Sequence, residues 1–282
     1  MKILVFFLVL SQLVSTAQPK IKQVSIQGRG QPIVLLNGGT YDRTAFDPHT
    51  KLLSDSLTVI RMEQFNIQYA NEGLTLPKNY TVKTESEAVK TTLDSLHITR
   101  PVIIVGHSYG GVIAFDFAIN HPDRVRSLVL VEAPLYDIAK AKGKLTEEMK
   151  QIEELTKQFT PDVEVTEEMV KSFRCKMANC DTSDIHQHPM WAKWIKEKNR
   201  LRGLSAVPAY RVDFEKLHDF KKPVLIITSS ETMEANKIVD ALMAREFLNA
   251  KTGSLPGSHV AIYSDAKTFV QILKSFLKEN DN

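Results

Sequence analysis

From residue 20 to about 133, short β-branched apolar runs alternate with stretches whose apolar positions recur at helical spacing. That rhythm predicts a parallel sheet flanked by helices. Residues 21–27 alternate apolar and polar positions, and residues 32–36 and 56–60 are short β-rich runs, the first ending at Asn37-Gly38-Gly39. Residues 101–105 are apolar after the opening proline, as a strand buried on both faces must be. Between them, residues 84–96 carry Ala88, Val89, Leu93 and Leu96 on one helical face, with Thr84 and Glu87 spaced as a capping box. Residues 124–132 and 223–229 predict further strands of the same type, and residues 251–255 a last one. Residues 264–277 close the chain as an amphipathic helix with Phe269, Ile272, Leu273, Phe276 and Leu277 on its apolar face.

The interval 135–220 breaks this rhythm. Thr146-Glu147-Glu148 opens a helix whose Met149, Ile152, Leu155 and Phe159 form a stripe, Thr166-Glu167-Glu168 opens another, and Pro189 precedes a third carrying Trp191, Trp194 and Ile195. No internal repeat or low-complexity linker separates them, so the insertion reads as a lid on one domain. The first seventeen residues read as an address: Lys2, an apolar run over residues 3–10, then Ser15-Thr16-Ala17. Eight unbroken apolar residues are too few to cross a hydrocarbon core of about 30 Å, and Gln18 offers no cysteine for lipidation. The expected organisation is therefore a signal peptide over 1–17 cleaved after Ala17, a sheet core over 18–134 and 221–282, and a helical cap over 135–220. The product is exported, periplasmic or secreted, with no membrane anchor.

Composition narrows the partners. The 282 residues are 43% hydrophobic and 24% charged, with 36 Lys plus Arg against 33 Asp plus Glu, which gives no basic patch for nucleic acid or anionic membrane. A small molecule is the expected partner. Two cysteines are too few for a disulfide framework, although an oxidising compartment favours one link between Cys175 and Cys180.

The sharpest chemical feature is Gly106-His107-Ser108-Tyr109-Gly110, directly after the most apolar strand and directly before a helical pattern. It matches G-x-S-x-G, in which an abrupt strand-to-helix turn strains the serine backbone and the two glycines let neighbouring segments approach. The Tyr109 N–H then lies at a helix N-terminus, where a developing negative charge is favoured. A second donor is expected from the loop Asn37-Gly38-Gly39-Thr40, chiefly the Gly39 N–H; losing one such donor typically costs about 3 kcal/mol. Serine requires a base, and among eight histidines His259 stands between the last strand and the last helix, at the carboxyl edge of the sheet. His49, His97 and His121 sit beside helix ends or turns and read as surface or capping residues, and His107 as packing or orienting the elbow. Cys175, Cys180, His186 and His188 lack the paired spacing of a zinc site. No metal and no cofactor is expected.

In its elbow, its Asn37-Gly38-Gly39 loop, its insertion between two late strands and its Gly257-Ser258-His259 turn, the chain resembles the α/β-hydrolase family over residues 20–278. That resemblance implies a doubly wound, mostly parallel sheet with an inserted helical lid, and a serine nucleophile. Two departures stand out. The oxyanion loop of the family usually reads His-Gly, and here Asn37 replaces the histidine. The family's acid usually follows the strand corresponding to 223–229, where this chain places Thr232, which cannot serve. Relatives that carry the acid after the preceding strand point to Glu132, with Glu231 as the alternative. The expected activity is cleavage of a carboxylic ester, thioester or lactone through an acyl-enzyme on Ser108. The rivals are a cofactor-free C–C hydrolase, lyase or perhydrolase, and a non-catalytic binding protein of the same fold.

Overall fold

A computed structural model describes residues 20–178 and 184–280, so the leader and Cys180, with its expected link to Cys175, lie outside the described residues. Seven strands form one sheet: β1 (Val24–Gln27), β2 (Gln31–Leu36), β3 (Leu57–Met62), β4 (Val102–His107), β5 (Val125–Val131), β6 (Val224–Ser229) and β7 (Ala250–Leu255), in the order β1-β3-β2-β4-β5-β6-β7. Only β1 runs antiparallel, against β3. The other neighbours pair in parallel, giving the parallel sheet that the alternating runs predict and the doubly wound architecture that the resemblance implies.

Both faces of the sheet are covered, which is why the central strands are apolar throughout. Val34, Leu36 and Ile104 point into one core, and Ile33, Leu35, Ile103 and Val105 into the other, following the period-two alternation of a strand. The flanking helices are α1 (Asp47–Leu53), α2 (Phe65–Asn71), α3 (Val82–Ser95) and α4 (Tyr109–Asn120). Between β5 and β6 the chain forms α5 (Tyr136–Ala141), α6 (Glu147–Lys157), α7 (Glu167–Ala178), α8 (Trp191–Lys196), α9 (Ala206–Ala209) and α10 (Phe214–Asp219). It ends with α11 (Glu234–Glu246) after β6, then α12 (Ala261–Ser264) and α13 (Ala266–Glu279) after β7. The inserted helices contribute Met149, Ile152, Phe159, Val170 and Phe173 to the same core as Val34 and Leu36. Thr146 and Thr166 cap α6 and α7 as expected, accepting from the N–H groups of Met149 and Met169.

Three local expectations change. The first strand is shorter than 21–27, because Ile21 leaves the sheet and donates its N–H to Thr92 Oγ1 at 2.9 Å. Helix α3 begins ahead of Thr84: Thr81 is the N-cap and Thr84 supplies the reciprocal bond. Glu87 is thereby free to meet His121 Nε2 at 3.2 Å. His49 is not a surface residue; it is fully buried between Phe46 and Phe269, with Nε2 on the Ile262 carbonyl at 2.8 Å. The spacing of one short helix did not reveal that α13 closes over it. His97 is exposed just past the end of α3, in a left-handed conformation with φ 55°.

Candidate active site

Parallel register brings the carboxyl ends of the central strands to one level. Leu36 pairs with Gly106, His107 with Val131, Val131 with Ile227, and Ser229 with Leu255. The residues that leave those ends, Asn37, Ser108, Glu132, Ser230 and the loop to His259, therefore meet at one edge.

Ser108 adopts φ 51° and ψ −121° between β4 and α4, a region that a residue with a Cβ occupies only when its surroundings force it. The force comes from close packing. A Cβ on Gly106 would stand 2.2 Å from the Gly110 carbonyl oxygen, and one on Gly110 would stand 2.3 Å from that of Asn37. Only glycine fits at either position, and the turn cannot relax. Gly38 lies against Ser108, and Gly39 against Tyr109. The Gly39 and Tyr109 N–H groups donate to no acceptor among the described residues.

Glu132 also has a left-handed backbone, φ 50°, and is completely buried. Its Oε1 accepts from the Ser229 N–H at 2.6 Å. Its Oε2 accepts from Thr232 Oγ1 at 2.8 Å and Asn236 Nδ2 at 3.2 Å, and is hydrogen-bonded to His259 Nδ1. Burial alone would raise this carboxyl, but the bonds from His259 and Ser229 outweigh it and hold the group well below the usual carboxylate range. The structure thus brings Glu132, and not Glu231, to His259: Glu231 is exposed at the cavity rim, its N–H donating to the Gly257 carbonyl. Thr232, at the position where the resemblance places an acid, donates its hydroxyl to the carboxylate that replaces it.

Several further side chains hold the loops around this site. Buried His107 directs Nε2 to the His259 carbonyl at 2.8 Å and Nδ1 to the Tyr263 hydroxyl at 3.1 Å. The same hydroxyl accepts the Gly38 N–H at 2.8 Å. Burial and the neighbouring His259 push the His107 pKa down to about 3, so the ring is neutral. Tyr263 can then donate to Nδ1, while Nε2–H donates to the carbonyl. This chain ties the Gly38-Gly39 loop to the His259 loop. Gln64 donates to the Asn37 carbonyl at 2.6 Å and Asn66 to the Gly39 carbonyl at 2.7 Å. These two side chains hold the Asn37-Gly38-Gly39 loop from the start of α2. His107 orients the elbow as its place in the motif suggests; Tyr263, Gln64 and Asn66 have no short-range signal, because their partners are tens to hundreds of residues away.

Ser108, Tyr109, Gly39 and His259 line one cavity of about 780 Å³, walled by Ile152, Phe173, Arg174, Met177, His188 and Trp194 from the inserted helices. Its size and apolar walls suit a small organic molecule. Among the described residues, no group of three or more His, Cys, Asp or Glu side chains is placed to hold a metal. No helix among them is long and apolar enough to cross a membrane.

Comparison with known proteins agrees with the architecture. A family model of the alpha/beta hydrolase fold matches residues 31–160. A protein of Mycobacterium phage D29, named provisionally as a non-heme haloperoxidase, is 35% identical over 111 residues, 39% of this chain and 38% of its own. The 2-hydroxy-6-oxo-2,4-heptadienoate hydrolase of Pseudomonas putida is 34% identical over 111 residues, 38% of each chain. The chain thus matches less than two fifths of the length of these relatives. The enol-lactonase of Burkholderia xenovorans superposes over 91% of this chain and 96% of its own, with a TM-score of 0.61 at 20% identity.

Proposed function

This chain is an α/β-hydrolase in fold, and from that premise we propose that it is a serine hydrolase acting on a carboxylic ester, thioester or lactone. The observation that carries the reading is the constellation at the sheet edge. A strained Ser108 shares a cavity with His259, whose Nδ1 is held by buried Glu132. The glutamate keeps the proton on Nδ1 and leaves Nε2 free to accept one from Ser108. Ser108 Oγ attacks the carbonyl carbon, and the oxyanion is received by the Gly39 and Tyr109 N–H groups. Collapse expels the alcohol or thiol, protonated by His259. Water activated by the same imidazole then hydrolyses the acyl-enzyme.

C–C bond hydrolysis or perhydrolysis on the same constellation is the second reading, since the relatives named as a 2-hydroxy-6-oxo-2,4-heptadienoate hydrolase and a non-heme haloperoxidase carry activities other than simple ester cleavage in their names. The helices between β5 and β6 act as a cap, and the chain is exported with its leader removed. A fluorophosphonate probe tests the nucleophile: the wild type is expected to label stoichiometrically and Ser108→Ala not at all. Equal labelling of both, or of neither beside a labelled control hydrolase, removes Ser108 from the mechanism.

A further inference from the structure

The cavity wall contains a cation that the hydrolytic chemistry does not use. Arg174, on α7, lines the same cavity as Ser108 and His259. Its guanidinium lies 4.9 Å from the Trp194 ring centroid and 5.7 Å from that of Phe173, so aromatic contacts hold it. Its Nη1 donates to Thr40 Oγ1 at 3.3 Å, and its Nε is buried with no hydrogen-bond partner. Among the described residues no carboxylate lies within ion-pair distance of it.

Glu197 attracts Arg174 through space, but its direct ion pair, like that of Asp42, is with another arginine. Arg200 meets Glu197 at 3.1 Å and Asp42 at 3.4 Å, and also bonds Asn71 Oδ1 at 3.1 Å. His188, stacked on Trp194 at 4.5 Å, accepts the Met190 N–H on Nδ1. Among the cavity acids, Glu148 is engaged with the Ala235 N–H, while Glu231 and Glu234 stand in solvent at the β6–α11 connection. Arg174 is half-buried, and its desolvation outweighs the through-space attraction of Tyr41 and Glu197, lowering its pKa to about 10.

We propose that Arg174 anchors a carboxylate of the substrate, so that the cavity selects anionic esters, thioesters or lactones over neutral ones. A guanidinium edge matches the planar carboxylate bidentately. Lys176, the other cation on the cavity wall, bonds Gln151 Oε1 at 2.8 Å, so the planar guanidinium edge is the group that selects a carboxylate. The position also sets a distance. Thr40 directly follows Gly39, whose N–H receives the carbonyl oxygen, so the carboxylate lies a few bonds from the scissile carbon. A short dicarboxylic half-ester has that shape.

This inference rests on the hydrolase reading but can fail separately. Monoethyl succinate and diethyl succinate differ in one charge, and a pH-stat follows the hydrolysis of either. In the wild type kcat/KM is expected to favour the half-ester by about tenfold to a hundredfold, the range of a charge-assisted hydrogen-bonded pair. Arg174→Gln brings that ratio close to one and Arg174→Lys leaves it intermediate. The ratio is insensitive to a general loss of folded enzyme. A wild-type ratio at or below one, or an unchanged ratio in Arg174→Gln, overturns the proposal. If neither ester is cleaved and Ser108 is not labelled, the hydrolase reading has failed, and thermal denaturation decides the anchor alone. Millimolar succinate is then expected to raise the wild-type Tm where succinamide does not, and to lose its effect in Arg174→Gln. No succinate effect on the wild type refutes the anchor.

Discussion

Replacing Glu132 by glutamine tests the proposed site most severely, because the hydrogen bonds around the carboxylate leave the amide no good orientation. The carboxylate accepts four bonds: from the Ser229 N–H on one oxygen, and from Thr232, Asn236 and His259 on the other. If the amide oxygen stays on Ser229, its NH2 faces His259 Nδ1 and the Asn236 amide. His259 must then move its proton to Nε2, where it can no longer accept one from Ser108. If the amide flips, the NH2 confronts the Ser229 N–H, and a buried donor pair is left without an acceptor. Either way the imidazolium loses its counter-charge in a dry environment. The expected fall in kcat/KM is about 10³- to 10⁴-fold, or about 4–5 kcal/mol of transition-state stabilisation. The assay is steady-state hydrolysis of a short-chain ester by Glu132→Gln and Glu231→Gln side by side, with circular dichroism as a fold check. Exposed Glu231 should tolerate the change within about threefold. Stability gives a second readout with a definite sign. The folded pKa of Glu132 lies below its ordinary 4.5, so its stabilisation is complete above about pH 4.5 and is lost as the pH falls below that. The stability gap between wild type and Glu132→Gln should narrow in the same window. A Glu132→Gln enzyme within tenfold of wild type, or a larger loss in Glu231→Gln, refutes the assignment of the acid.

Tyr263→Phe removes the hydroxyl that joins the Gly38 N–H to His107 Nδ1; kcat is expected to drop about tenfold with little change in KM, while fluorophosphonate still labels Ser108. An equal rise in KM would point to a binding defect instead. Burial lowers the His49 pKa to about 4 from 6.5, its Ile262 bond only partly opposing this. The unfolded chain therefore binds the proton more readily, and the stability that His49 contributes is complete above pH 6.5 and lost as the pH falls towards 4. Urea melts should show the penalty of His49→Gln shrinking by about 3 kcal/mol across that window, and a constant penalty would contradict it. N-terminal sequencing of exported protein should begin at Gln18, and an intact Met1 in the exported fraction would remove the leader.

The alternation of apolar runs was enough to predict the sheet because β2, β4, β5 and β6 are buried on both faces, which leaves a continuous signature. The elbow was legible for a related reason: backbone crowding at Gly106 and Gly110 tolerates no side chain, so steric demand writes itself into adjacent positions. Where the signal was local but ambiguous, the prediction slipped by one helical turn, as at the start of α3, where Thr81 and not Thr84 is the cap. His49 was misread because its burial depends on α13, more than two hundred residues downstream. Tyr263, Gln64, Asn66 and Arg174 carry no pattern at all, since each acts through partners that only the folded chain brings near.

The acid shows the same limit from the other side. Val131, the last residue of β5, pairs with Ile227 of β6, which runs on to Ser229, so Glu132 emerges beside the carboxyl end of β6. The carboxylate that reaches the histidine comes from the β5 end. In this chain Glu132 reaches it by turning its backbone left-handed immediately after β5, while its own N–H bonds the Ile227 carbonyl at 3.2 Å. The β6 side contributes donors in place of an acid: the Ser229 N–H, the Thr232 hydroxyl and the Asn236 amide all point at the Glu132 carboxylate. The two changes are mutually dependent. A buried carboxylate at position 132 would be costly without those donors, and a threonine at 232 would leave His259 without an acid partner unless Glu132 were present. The negative charge beside His259 is therefore supplied from the end of β5, and the end of β6 supplies the donors that hold it there.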